Sequence, residues 1–151
     1  MPRQQANYDK TPYIAVSASD HSVCAGWSRV ASVLRDATDP SPRGRRVLTI
    51  ECYPGVHEDE IVKALESLRP LRIIRSSEAF LSPEKIDAVV LPHNGGEDPV
   101  FGVMNRLRIE DFLDHEKASA LQHEISRVES GLIIILGPGA SRIHPGDLRV
   151  Y

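Results

Sequence analysis

The 151-residue sequence is short of several things, and each shortage removes a class of function. Only two cysteines occur, Cys24 and Cys52, far apart and outside any CxxC or other metal-type spacing, so neither a disulfide framework nor a thiolate metal site is expected. Both read as reduced thiols. One at a helix start and one at a strand end could be reactive, but a small buried hydrophobe is the plainer role, because neither has a base beside it in sequence. Positive charge is not in excess: 18 basic against 21 acidic residues give a net of -3, so no overall basic field invites nucleic acid. No apolar run approaches the roughly 20 residues of a membrane span, and MPRQQANYDK lacks the apolar core of a signal peptide. The expectation is a cytoplasmic protein without a membrane or nucleic-acid partner. The six histidines are scattered, with His115 and His123 off a common helix face, and no zinc site follows.

What is present is enough apolar material, 41% of 151 residues, for one domain that buries about two-thirds of its unfolded surface. Its organising stretch is VLTIECYPGVHEDEIVKALESL, from Val47 to Leu68. Val47, Leu48 and Ile50 are strand-forming, Pro54-Gly55 is a turn dipeptide, and Ile61, Leu65 and Leu68 recur at helical spacing. A strand feeding directly into a helix is a βα unit. Such units build parallel sheets, whose ligands sit beyond the carboxyl ends of the strands, where Glu51, Cys52, Tyr53 and Gly55 would lie.

The rest of the chain repeats that grammar. Residues 1 to 12 are polar and aperiodic and read as a flexible arm, and Tyr13 to Val16 as a short edge strand. From Cys24 a helical stripe runs through Trp27, Val30, Ala31 and Leu34, until TDPSPRG makes an exposed loop. Pro70 stops the second helix before a strand at Leu71 to Ile74, completing β-α-β. Ser82 with Pro83 starts a helix whose buried face is Ile86, Val89 and Val90. His93 to Pro99 is glycine-rich and could form a lid, and Asp111 to Leu113 suggest a short helical turn. Asp114 is placed to cap a helix carrying Ala118, Leu121, Ile125 and Val128, closed by Gly131. Leu132 to Leu136 is unbroken apolar and reads as a central strand covered on both faces. Leu148 to Tyr151 is a last short apolar segment without a polar tail, the expected mark of one piece of a longer protein. The expected fold is therefore α/β, a three-layer αβα arrangement around a mainly parallel sheet over residues 13 to 151.

Two loops, ECYPGV and GPGASR, should leave parallel strands at the same sheet edge. Gly137 and Gly139 let backbone N–H groups approach a ligand, and Ser141 and Arg142 add a hydroxyl and a cation suited to phosphate or carboxylate, unless the glycines serve only the turn. Neither loop matches GxxxxGK[ST], so a working nucleotide P-loop is not expected. Glu58, Asp59 and Glu60 open a helix, satisfy its positive end and would repel a phosphate. Glu51 is the candidate base or metal-phosphate holder, with an ion pair to an arginine as the alternative. Arg106 and Arg108 alternate with apolar neighbours and could grip an anion or simply face solvent.

YDKTPYIAV, ECYPGVHEDEIVKAL, EDPVFGVMNRLRIEDFLD and LGPGAS followed by DLRVY, which together span nearly the whole chain, are similar to the N-terminal α/β domain of bacterial class I phosphomannose-isomerase-like (mannose-6-phosphate isomerase) proteins. The resemblance implies a kinase-like layer without a working Walker motif, partnered in a longer parent by a C-terminal cupin domain that holds the zinc and the isomerase chemistry. It carries the motif positions of Glu51, Tyr53, Gly55, Asp98, Gly137, Gly139 and Ser141, with no cofactor in this chain. The expected ligand is a phosphorylated small molecule, a sugar phosphate or nucleotide. A magnesium-dependent phosphotransferase with Glu51 as base, and a structural or homodimerising module, are the alternatives.

Overall fold

Two strands with no polar face make the centre of the molecule. In the computed structural model, which describes residues 24–38, 44–96, 102 and 104–151, β1 (Arg45–Glu51) and β3 (Gly131–Gly137) pair in parallel along their full lengths, from Arg45 opposite Gly131 to Glu51 opposite Gly137. Residues 47–50 and 133–136 are all buried, as strands covered on both faces require. β2 (Arg72–Arg75) pairs with the outer side of β3 and β4 (Leu148–Val150) with the outer side of β1, both parallel, giving the order β2-β3-β1-β4. The fold is α/β, an all-parallel sheet between helices. The flexible arm over 1–12, the edge strand at Tyr13 to Val16 and residues 97–99 of the glycine-rich stretch, Asp98 among them, fall outside the described residues.

Side-chain alternation along these strands divides the core in two. Leu48, Ile50, Ile134 and Leu136 point to one face and are covered by α1 (Trp27–Thr38) and α2 (Glu58–Leu65) through Leu34 and Leu65, with Val30, Ile61 and Val62 at the margin. Val47, Ile133, Ile135 and Ile74 point to the other and are covered by α4 (His115–Arg127) and α5 (Ala140–Ile143) through Leu121, Ile125, Ala140 and Ile143. The helical stripe Trp27–Val30–Ala31–Leu34 survives in α1, although the helix begins at Trp27 rather than Cys24. Asp114 does cap α4: its Oδ1 accepts from the backbone N–H of Glu116 at 3.0 Å and of Lys117 at 3.3 Å, and these bonds hold its carboxyl below the usual range.

Three expectations need correction. α3 (Pro83–Val90) starts after Ser82 as anticipated, but the serine makes no side-chain cap bond and Ile86, Val89 and Val90 are only half-buried, because α3 lies beside the sheet rather than on it. Gly131 does not close α4, which ends at Arg127; with φ near +106° it opens β3 instead, with its amide donating to Gly44. β2 runs one residue later than the apolar pattern suggested, because Leu71 is exposed and only its amide joins the sheet edge, donating to the carbonyl of Leu132 at 2.7 Å. Among the described residues no helix is long and apolar enough to cross a membrane.

β4 packs Leu148 and Val150 against the core and is held in register by polar contacts as well. The Asp147 carboxylate accepts from the Val47 amide at 2.7 Å while its own amide donates to the Val47 carbonyl at 2.8 Å. The buried Thr49 hydroxyl donates to the His144 carbonyl at 2.9 Å, and the Gly146 amide donates to His144 Nδ1 at 3.0 Å. Burial, followed by the charge of Arg45, pushes the His144 imidazole below its ordinary pKa against the opposing pull of Asp147. A depressed histidine binds fewer protons folded than unfolded, so its contribution is complete above about pH 6.5 and declines as pH falls below that. Protonation of Nδ1 also removes the acceptor that Gly146 uses. In thermal unfolding followed by circular dichroism, His144→Asn, which retains an acceptor but does not titrate, should lose less melting temperature than the wild type between pH 7.5 and 5.5; equal losses would show that His144 carries none of the dependence.

Candidate functional site

The connections leaving β1 and β3 depart to opposite faces: β1 continues into α2 on one side of the sheet and β3 into α5 on the other. Neighbouring parallel strands that part in this way leave a crevice at their carboxyl ends, the usual ligand position in open α/β sheets. Here a side chain of the protein fills it. Glu51, the last residue of β1, reaches across to the GPGAS loop, where its Oε1 accepts from the Ser141 amide at 2.7 Å and its Oε2 from the Gly139 amide at 3.0 Å. One residue on, the Cys52 amide donates to the Gly137 carbonyl at 3.3 Å. The two loops therefore do converge, but the acceptor on the glycine-loop amides is the Glu51 carboxylate. Of the readings weighed from the sequence, the arginine's partner is not found: among the described residues Glu51 forms no ion pair.

The glycines of this loop answer to crowding as well as to conformation. Gly139, with φ near +73°, turns the chain into α5, and a Cβ there would lie 2.6 Å from Ile109 Cγ1. At Gly137, with φ near +121°, a Cβ would collide with the Ser76 hydroxyl and lie 3.1 Å from Glu58 Oε1. Ser76 is 1% exposed and its Oγ has no hydrogen-bond partner among the described residues.

The cations predicted to serve an anion have other positions. Arg142 pairs with Glu110 at 3.0 Å. Arg106 and Arg108 are exposed on the strand-like approach to the turn Ile109–Phe112, and the Arg108 amide donates to Asp111. The acidic start of α2 is partly neutralised by Arg75 at the end of β2, which pairs with Asp59 and, at 3.6 Å, with Glu58. These bonds, Asp59's first, raise the Arg75 pKa. Among the described residues no three His, Cys, Asp or Glu side chains are grouped as a metal site would require.

Beside the filled crevice, on the α1–α2 side, lies an open cleft of about 370 Å³. Buried or half-buried Ile50, Leu34, Ile61 and Leu65 line it together with the exposed Trp27, Tyr53, Val56 and Tyr151, and Glu51 and Cys52 are also among its lining residues. A second hollow of about 220 Å³ continues it between Glu51, Cys52, Tyr53 and Tyr151. Gly55, with φ near +92°, makes the exposed turn that sets Tyr53 and Val56 on either side of it, and the Val56 amide donates to the Tyr53 carbonyl at 3.2 Å. The Cys52 thiol is pushed above its ordinary pKa, first by burial and then by the Glu58 and Glu51 charges, against the Gly137 backbone bond. It is a protonated wall of the cleft at neutral pH, not a thiolate nucleophile. Trp27 and Tyr151 went unassigned in sequence reasoning, because one belongs to a helical core stripe and the other to a terminal strand; only the topology brings them together.

Gly137→Ala should destabilise the protein by about 2 to 4 kcal/mol, combining a strained φ with overpacking against Ser76. Adding Ser76→Gly should return part of that loss in urea unfolding. A Gly137→Ala variant as stable as the wild type would contradict the crowding.

No curated protein and no solved structure matches the chain. A family model described as a domain of unknown function (DUF8485) matches residues 26–151, most of the 151 and the whole of the sheet just described, and the chain belongs to that DUF8485 family.

Proposed function

We propose that this is an accessory α/β domain of a mannose-6-phosphate isomerase-like protein, one that binds a small phosphorylated metabolite, a sugar phosphate or nucleotide, at the strand carboxyl ends and performs no chemistry of its own. The observation that carries this reading is the commitment of Glu51. A general base must reach the proton it takes, whereas the Glu51 carboxylate is anchored to the glycine loop by backbone amides on both oxygens, at 2.7 and 3.0 Å. The same contact occupies amides that would otherwise cradle a transferred phosphate. A cleft of about 370 Å³ stands open beside it, within the roughly 300–1,000 Å³ of small-molecule sites. The sequence resemblance supplies the parent, in which a C-terminal cupin domain would carry the isomerase reaction. A magnesium-dependent phosphotransferase using Glu51 draws less support from this geometry.

In a thermal-shift screen of hexose phosphates and nucleotides, with and without magnesium, at least one compound should raise the melting temperature. At a hundredfold excess over Kd the gain is about 2.7 kcal/mol. ATP should not be consumed with any acceptor tested. Phosphate transfer would replace this reading with the phosphotransferase; the absence of any shift would leave a structural or dimerising module.

A further inference from the structure

The glycine-rich stretch after α3 has no part in the strand-end site, and it places Asn94 directly before Gly95. The chain has three asparagines, followed in turn by Tyr8, Gly95 and Arg106, so Asn94 alone precedes a residue without a side chain. That pairing has a chemical consequence. The side-chain amide carbon of an asparagine can be attacked by the backbone nitrogen of the next residue, once that nitrogen has lost its proton, and a five-membered ring closes. Two restraints ordinarily oppose the attack. A side chain on the following residue crowds the approach, and a helix or strand both fixes ψ and engages the N–H in its hydrogen-bond ladder.

Neither restraint operates at Asn94 among the described residues. Asn94 is exposed and follows the short turn Leu91–His93, outside any helix or strand, with extended dihedrals of φ −72° and ψ 144°. Its own amide donates to the Leu91 carbonyl at 3.2 Å. That bond sits on the φ side of the residue, whereas ring closure needs rotation about ψ. The Gly95 amide has no backbone partner among the described residues, and two successive glycines widen the rotation open to the chain there. Asn105 supplies the contrast: its Oδ1 accepts from the Leu107 amide at 2.9 Å, and Arg106 follows it.

We propose that Asn94 is a modification site, deamidated without an enzyme in the folded protein. The Gly95 nitrogen gives its proton to hydroxide and bonds to Asn94 Cγ, and the side-chain nitrogen leaves as ammonia. Water then opens the cyclic imide at either carbonyl. Opening at Cγ gives aspartate, and opening at the backbone carbonyl gives isoaspartate, whose main chain runs through the former side-chain methylene. The sum is one water consumed and one ammonia released. Either product replaces a neutral amide by a carboxylate, adding one negative charge to a chain of net -3. No residue of this stretch lines the cleft at the strand ends, so the modification stands independently of the ligand-binding reading.

The test is to hold the whole protein at 37 °C, at pH 7.0 and at pH 8.5, sample it over several weeks, and digest each sample with trypsin for mass spectrometry against a sample digested at the start. Cleavage after Lys85 and Arg106 puts Asn94 and Asn105 in one peptide, so each molecule carries its own control. Fragment ions should show conversion of Asn94 at least tenfold faster than of Asn105, with isoaspartate exceeding aspartate. The rate should rise at least fivefold from the lower to the higher pH, because the attacking nitrogen is deprotonated more often. Gly95→Ala should slow conversion at least fivefold, and Asn94→Gln should abolish it. Conversion of Asn94 no faster than of Asn105, an equal rate at both pH values, or the wild-type rate in Gly95→Ala would overturn the proposal. So would conversion seen only after unfolding in urea, which would show that the fold keeps the Gly95 nitrogen from Cγ.

Discussion

A single carboxylate ties the two halves of the sheet edge together. Glu51 sits where β1 ends and accepts amides from the loop that leaves β3, at 2.7 and 3.0 Å. Charge-assisted bonds to backbone amides are among the stronger hydrogen bonds a protein makes, and both bridge elements that depart to opposite faces. Without an acceptor there, the Gly139 and Ser141 amides would lie half-enclosed at the open end of the crevice. The protein thus supplies from its own sequence the negative group that a ligand brings to many sheets of this topology.

That internal occupation moves the open space sideways. With the crevice between β1 and β3 filled, the remaining hollow lies between α1, α2 and the end of β4. Its position depends on β4, which the Val47 amide on Asp147 and the Thr49 hydroxyl on the His144 carbonyl hold against β1, and on the Pro54-Gly55 turn that raises Tyr53 clear of the surface. Ser76 and Glu58 leave no room for a Cβ at Gly137, where β3 gives way to the GPGAS loop.

Much of the fold was legible because its signals are local. Residues 132–136 could only be a strand covered twice, Val47 to Leu68 announced strand, turn and helix in sequence, and Asp114 stood where a cap belongs. The errors arose where a tertiary partner outweighed the local pattern. Gly131 looked like a helix stop, but a positive φ serves equally to start a strand. Ile86, Val89 and Val90 looked like a core face, although α3 packs mainly against the short turns Leu91–His93 and Ile109–Phe112. The site was legible as two loops meeting. Their chemistry was not, because Glu51 acts on partners 88 and 90 residues away, and nothing near it in sequence distinguishes a base, an arginine's partner and a backbone acceptor. Arg75 was likewise invisible as the partner of Asp59 until β2 was placed beside α2's start.

The central claim is that the Glu51 carboxylate, not a ligand, satisfies the amides of the GPGAS loop, and amide hydrogen exchange followed by nuclear magnetic resonance tests it most directly. In the ligand-free wild type the Gly139 and Ser141 amides should exchange slowly. In Glu51→Ala they should lose protection selectively, while the amides of Ile133 to Ile135 keep theirs as evidence that the sheet persists. Fast exchange of Gly139 and Ser141 in the wild type, or unchanged protection in the variant, would contradict the account.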